Sequence, residues 1–239
     1  MNADQRLIVA IDLNTMEKVQ QLVEVLDDSV NYYKVGMELF YSEGKQVITY
    51  LRGQGKDVFL DLKLHDIPNT VGQSLPALTG LGISMLNVHA SGGPAMMAAA
   101  AQAVKNKADV MGIARPKLIA VTVLTSINSN EWTALGYNLD LSKQVVHLAQ
   151  LAQSAGLDGV VASPQEAEEI RTACGNEFII VTPGIRPKGA AINDQSRTAT
   201  PASALKNGAH HLVIGRPITA AEDPRRAAQA ILQEMRDKA

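Results

Sequence analysis

Short apolar runs rich in β-branched residues recur along the whole chain, with segments of helical composition between them. The runs are 7–11, 32–35, 58–62, 85–88, 118–124, 159–162, 178–181 and 211–214. Helical composition marks 16–26, 37–51, 67–81, 94–107, 142–154 and 227–235. Eight alternations of this kind require parallel strands joined by crossover helices. LIVAI, LIAVTVL and LVIG are nearly all apolar, as strands covered on both faces must be. Eight β-α units in 239 residues predict an α/β fold, a single (β/α)8 barrel, whose usual length is about 250 residues. An open doubly wound sheet is the alternative. It should carry a glycine fingerprint after an early strand, and neither G-x-G-x-x-G nor G-x-x-x-x-G-K-[ST] occurs. No linker or composition break divides 1–239, so one domain is expected.

Composition narrows the function classes. Hydrophobic residues at 46% and charged residues at 19% supply a sizeable core and exclude wholesale disorder. A net charge of −2 gives no basic field for nucleic acid or an anionic membrane. Aromatic residues at 4% make a base-stacking surface an improbable design. The single cysteine, Cys174, excludes an internal disulfide framework and a cysteine zinc cluster, and fits a reducing compartment. The start Met-Asn-Ala-Asp-Gln-Arg lacks a secretory pattern. No stretch approaches the roughly 20 apolar residues of a membrane helix. A soluble cytoplasmic protein is expected.

Local punctuation supports the phase. Asn14 and Glu17 form a candidate capping pair for the first helix. Asp223-Pro224 reads as an N-cap followed by proline at the first helical position. Residues 184–201, rich in Gly, Pro, Asn and Thr, read as a long loop after the seventh strand; loops of this length in compact domains are often functional lids.

Charged residues stand where a core should be. In Phe59-Leu60-Asp61-Leu62-Lys63-Leu64, strand alternation turns Asp61 and Lys63 one way and the leucines the other. The leucines suit the layer between strands and helices. The charged pair then faces into the barrel near the strand's C-terminal end, where barrel active sites lie. Asp12 ends the first strand, and Lys34 sits within the second. A buried lysine needs a counter-charge, and Asp61 is one strand away, at about 5 Å. One Asp-x-Lys pair is more often a satisfied ion pair than a catalyst. Charges on three consecutive strands at matching depth shift the reading toward a built site. Asp66 is placed either to cap the following helix or to join the charged group. At the eighth strand's end, Gly215-Arg216-Pro217 reads as a phosphate-binding turn or a plain turn.

Several other candidates read as ordinary. The five histidines, His65, His89, His147, His210 and His211, lack zinc spacing. Ser126 and Ser163 have no sequence-visible triad partners. Met96-Met97 reads as helix core.

Taken together, Asp12, the Lys34-Val-Gly-Met-Glu-Leu-Phe run, DLKLHDIPNT at 61–70, LTS at 124–126, TPGIR at 182–186, Asn193-Asp194-Gln195 and IGRPIT at 214–219 resemble the bacterial orotidine 5′-phosphate decarboxylases. The matches run in order from first strand to eighth. The resemblance implies cofactor-free, metal-free conversion of orotidine 5′-phosphate to uridine 5′-phosphate and CO2, the last step of de novo UMP synthesis. It implies Lys63 as proton donor to C6, Asp61 beside the departing carboxylate, and Lys34 and Asp66 completing an alternating charged array. The stretch Asp61, Leu62, Lys63, Leu64, His65, Asp66, Ile67, Pro68, Asn69 and Thr70 is implied as substrate-binding. It implies that Asp66, Ile67 and Thr70 reach a neighbouring subunit's site, in a homodimer with shared sites. It also implies Asp12 at the ribose and Thr125 at the base. It implies Gln195, Gly215 and Arg216 as phosphate ligands, with Arg186 nearby on the loop. Magnesium-dependent sugar-phosphate enzymes on the same barrel usually place an acid on the second strand; Lys34 would repel that metal. A catalytically dead scaffold barrel would have lost some of these charges, and all are present.

Overall fold

The computed structural model describes residues 3–187 and 198–237. Its parallel strands close into a barrel in chain order: β1 (Leu7–Ile11), β2 (Tyr32–Gly36), β3 (Asp57–Leu64), β4 (Met85–His89), β5 (Lys117–Val121), β6 (Gly159–Val161), β7 (Ile179–Thr182) and β8 (His211–Ile214). β8 returns to β1, with Leu7 opposite Leu212 and Val9 opposite Ile214. Closure removes every strand edge. This is the (β/α)8 barrel the alternation predicts.

Alternation along each strand sorts side chains into two cores. Ile8, Ala10, Tyr32, Phe59, Met85, Ile119, Val181 and Val213 fill the barrel interior. The intervening residues, among them Leu7, Val9, Tyr33, Val35, Leu60, Leu86 and Val88, belong to the core under the helices. Helix α1 (Met16–Leu26) buries Val19, Leu22, Val23 and Leu26, the spacing of one helical face. Truncating the fully buried Leu26 to Ala costs about 2–5 kcal/mol in lost transfer energy and a residual cavity.

The remaining helices are α2 (Met37–Glu43), α3 (Gln46–Gly53), α4 (Pro68–Thr79), α5 (Gly93–Met111), α6 (Ser129–Ala134), α7 (Leu141–Ser154), α8 (Ala167–Cys174), α9 (Pro201–Lys206), α10 (Arg216–Thr219) and α11 (Pro224–Arg236). Met96 and Met97 are fully buried in α5. Asp223 caps α11 as expected, accepting from the Arg226 N–H at 2.9 Å. Among the described residues, no helix is long and apolar enough to cross a membrane.

Several boundaries differ from the sequence reading. The helix expected over 37–51 is two helices. Gly44, at φ 63°, ends α2 by returning its N–H to the Phe40 carbonyl, a conformation that glycine adopts without steric cost. The first-helix cap is Thr15, whose hydroxyl accepts from the Lys18 N–H at 3.4 Å. Asn14 instead takes the Lys18 ammonium at 3.2 Å. β5 stops at Val121, three residues before the expected end; Thr122 folds its hydroxyl onto the Val161 carbonyl, and the chain leaves the sheet. The turn after β8 winds into α10. Within 184–201, Ile185 bridges Ala199; residues 188–197, including Asn193, Asp194 and Gln195, lie outside the described residues.

Candidate active site

The inward faces of β2, β3 and β4 begin apolar, at Tyr32, Phe59 and Met85. Two residues on, toward the C-terminal ends, stand Lys34, Asp61 and Asn87, all buried. The apolar interior thus forms the floor of a polar layer.

β3 is distorted where that layer is built. Its pairing with β4 jumps from Leu60 opposite Leu86 to Leu64 opposite Val88. Four steps of β3 therefore match two of β4, and Lys63 inside this bulge has φ 52°. Left-handed backbone costs an L-residue roughly 1–2 kcal/mol, and bulges often re-aim a side chain beside a functional site. The Lys63 N–H, lost to the ladder, donates to Asn87 Oδ1 at 2.8 Å.

The charges form a chain of alternating sign. Asp61 Oδ1 accepts from Lys63 Nζ at 2.7 Å and from Asn87 Nδ2 at 2.7 Å. Asp61 Oδ2 lies 3.4 Å from Lys34 Nζ. Lys34 Nζ reaches Asp12 Oδ1 at 3.2 Å. Burial pushes the Asp61 carboxyl up, but Lys34 and Lys63, with bonds from Lys63 and Asn87, outweigh it and hold the group below the usual carboxylate range. Gly36 leaves room for this arrangement: a Cβ there would lie 2.9 Å from Lys34 Nζ. His89 packs against His65 with ring centroids 5.4 Å apart. Burial, then His65 and Lys63, push its ring below the usual imidazole value.

The chain borders a cavity of about 190 Å³. Phe59, Val121, Val161 and Val213 line its base; Lys34, Asp61 and Lys63 form one wall; Thr125 and Pro183 reach it from the loops after β5 and β7. A groove of about 570 Å³ opens beside α7 and α8, but Lys143, His147, Glu168 and Glu169 in it are exposed. Gly215 borders the site from β8, since a Cβ on it would lie 3.7 Å from Asp12 Oδ2. Arg216 is exposed at the first turn of α10. Arg186 is half-buried, and its N–H donates to the Ala199 carbonyl at 2.9 Å.

The structure therefore gathers Asp12, Lys34, Asp61, Lys63, Thr125 and Gly215 around one opening. It does not gather the whole stretch 61–70. Leu62 and Leu64 pack against the outer core. His65, Asp66, Ile67, Pro68, Asn69 and Thr70 are exposed in the single chain. Asp66 accepts from the Ile67 N–H at 2.6 Å and forms no ion pair with Lys34 or Lys63 among the described residues. It is not the N-cap of α4 either; Ile67 occupies that position. Sequence reasoning missed Asn87 and Gly36. The signal for Asn87 was a polar residue inside the apolar run Met85–Val88; Gly36 showed only as a glycine two positions after Lys34. Among the described residues, no three His, Cys, Asp or Glu side chains come together as a metal would require.

Residues 5–231 match the family model described as orotidine 5′-phosphate decarboxylase / HUMPS family. A protein of Carboxydothermus hydrogenoformans named orotidine 5′-phosphate decarboxylase is 51% identical over 231 residues, 97% of this chain and 96% of its own length. One of the same name from Moorella thermoacetica is 49% identical over 236 residues, 98% of this chain and 94% of its own. The crystal structure of orotidine 5′-phosphate decarboxylase from Lactobacillus acidophilus superposes with a TM-score of 0.86 at 42% identity, covering 98% of this chain and 100% of that one. Barrels of unrelated descent share architecture without such identity. A match running from before β1 into α11 reflects kinship, and the chain belongs to the orotidine 5′-phosphate decarboxylase / HUMPS family.

Proposed function

We propose that this chain, acting as one catalytic domain, decarboxylates orotidine 5′-phosphate to uridine 5′-phosphate and CO2 in pyrimidine biosynthesis, with Asp12, Lys34, Asp61 and Lys63 as its charged centre. The observation that carries the reading is the alternating ion chain on three adjacent strands, with Lys63 held 2.7 Å from Asp61 at the wall of an apolar cavity. Family membership and the names of the near relatives support the same reaction.

The chemistry explains the residue types. When the bond from C6 to the carboxylate breaks, CO2 leaves and an electron pair stays on C6 in the ring plane. The ring's π system cannot absorb that pair. Fixed charges must stabilise it, and preorganised groups in a low-dielectric site do so without reorganising. The Lys63 ammonium faces that carbon, then transfers its proton there and regains one from water. Asp61 and Lys34 keep the array charged and hold Lys63 in place. Repulsion between Asp61 and the substrate carboxylate falls as CO2 departs. Each tenfold in rate requires about 1.4 kcal/mol, so several contributions act together. The cavity of about 190 Å³ is smaller than the roughly 300 Å³ of a typical ligand pocket, which suits the ring alone. The ribose extends toward Asp12, and the phosphate toward Gly215 and Arg216, with Gln195 and Arg186 from the 184–201 loop. Binding energy from the distant phosphate orders the site.

The active form is a homodimer with shared sites. Exposure of six consecutive residues, His65 to Thr70, with Ile67 65% exposed, supports a second copy covering them and delivering Asp66 to the neighbouring Lys63. The single buried Cys174 suits a cytoplasmic setting. Lys34 at the centre argues against the magnesium-using relatives, since its ammonium repels a cation there.

The test is a direct assay following loss of the orotate chromophore with purified protein. Stoichiometric uridine 5′-phosphate is expected, at a rate unchanged by a chelator. No turnover overturns the assignment, and loss of activity on chelation overturns its metal-free form.

A further inference from the structure

We infer that Asn87 is a positioning residue for this reaction: its side-chain amide clamps the Asp61 carboxylate and the Lys63 backbone together and thereby sets where the Lys63 ammonium stands. The role presupposes the decarboxylase reaction proposed for the chain.

Asn87 is fully buried in β4, on the inward face between Met85 and His89. A buried amide offers two donor hydrogens and two acceptor lone pairs, and leaving them unmet is costly. Both bonds that Asn87 makes go to one short segment of β3. Nδ2 donates to Asp61 Oδ1 at 2.7 Å, and Oδ1 accepts the Lys63 N–H at 2.8 Å. Asp61 Oδ1 is also the atom that holds Lys63 Nζ. One carboxylate oxygen thus joins the amide to the ammonium, while the other end of the amide grips the main chain carrying it.

The backbone makes that grip necessary. The bulge removes residues 61–63 from the ladder with β4, and Lys63 sits at φ 52°. Without a replacement acceptor the Lys63 N–H would be left unpaired. Relaxation of φ toward the ordinary strand region would then turn the Lys63 side chain away from the cavity. Asn87 supplies the acceptor from the neighbouring strand. Misplacement of a reacting group by about 1 Å costs about 100-fold in rate, so a residue that never touches the substrate can control turnover through this clamp.

Two substitutions separate positioning from general packing. Asn87→Leu keeps the volume and removes both bonds. It is expected to lower kcat about 100-fold while affinity for uridine 5′-phosphate stays within about threefold, because the proposed binding mode puts ribose and phosphate at Asp12, Gly215 and Arg216, whereas the Asn87 side chain bonds to Asp61 and the Lys63 N–H. Asn87→Asp tests the bonds themselves. The introduced carboxyl, once protonated, donates to Asp61 and still accepts from the Lys63 N–H. Its kcat relative to wild type should therefore rise as pH falls from 8 to 5. The charged and ionisable groups facing this position, Asp61 and Lys63 from β3, Lys34 from β2 and the His89–His65 pair, are common to wild type and variant, so the change in the ratio with pH reports the introduced carboxyl and its coupling to Asp61. Asn87→Leu with wild-type kcat, or with equal losses in kcat and product affinity, overturns the role. If Asn87→Leu does not fold, a flat pH ratio for Asn87→Asp overturns it. A wild-type chain inactive on orotidine 5′-phosphate would instead sink the decarboxylase reading.

Discussion

Each end of the barrel carries a largely covered carboxylate between two cations. At the N-terminal end, Asp158 just ahead of β6 takes Arg115 through two bonds of 2.8 and 2.6 Å, the Leu118 N–H at 2.8 Å, and Lys117 at 3.6 Å. At the C-terminal end, Asp61 takes Lys63, Lys34 and Asn87. The two carboxylates have side-chain exposures of 12% and 10%, and both are held below the usual range because cations and hydrogen bonds outweigh burial. Side-chain exposure and the cations around them therefore do not distinguish them. Geometry does. Asp158 fastens the start of one strand to the start of the next, and a main-chain N–H completes its shell. Asp61 sits against a bulge with a left-handed Lys63, and its ammonium partners line an apolar cavity. A buried ion group that only closes on backbone is a fastener. One that is strained and aimed at open space is prepared to act on something else.

The widest separation comes from removing one member at each end. Lys63→Ala should lower turnover about 10⁴-fold or more, as loss of both charge stabilisation and proton donor implies, with thermal stability near wild type. Asp158→Ala should do the reverse. Turnover per folded molecule stays close to wild type, while chemical denaturation shows a loss of about 1–3 kcal/mol for hydrogen bonds to a charged group. An inactive but fully stable Asp158→Ala would erase the contrast.

Mixing inactive Lys63→Ala and Asp66→Asn proteins under conditions of proven subunit exchange comes next. Half the dimers would be mixed, each with one intact site, so activity should recover to about a quarter of wild type. No recovery removes Asp66 from the shared site.

Glycines sharpen the same comparison. In Gly36→Ala the new Cβ meets the end of the flexible Lys34 side chain at 2.9 Å. The ammonium shifts, kcat should fall about tenfold, and the fold should persist. In Gly159→Ala the Cβ would stand 2.1 Å from the Ile179 carbonyl oxygen. Backbone cannot yield there, so the barrel itself should destabilise, seen as a lower melting temperature.

The smallest effect concerns pH. His89, His210 and His211 are all held below the ordinary value of 6.5, chiefly by burial. Their unfolded forms bind protons first, so stability present above pH 6.5 is lost as pH falls through the folded values. Asp61 and Asp158 add a second loss only below about pH 4, near the unfolded carboxylate value. Melting temperature should decline from pH 7 to 5, then fall further in acid; a rise on acidification to pH 5 would contradict the histidine assignments.

Much of this molecule is written in alternation. Each strand of the barrel was visible because strands covered on both faces must be apolar, and α1 matched residue for residue. Asp12, Lys34, Asp61 and Lys63 were visible for the same reason, as charges interrupting apolar runs. Asn87 was not, because one uncharged polar residue in β4 gains meaning only once the register with β3 is known, and the bulge alters that register. The left-handed Lys63 carries no sequence signal, since φ above zero usually announces itself through glycine. The break at Gly44 was hidden inside a continuous helical composition. Asp66 remained ambiguous because its partner in the proposed dimer lies outside the single chain.

A crystal structure with uridine 5′-phosphate bound is the most direct examination of the central claim, that a preset chain of opposite charges delivers the Lys63 ammonium to the reacting carbon. Lys63 Nζ is expected within about 3.5 Å of C6, near the limit of proton-transfer reach, with its contact to Asp61 kept. An ammonium turned away from C6, or a ring bound elsewhere than against Asp61, would contradict it.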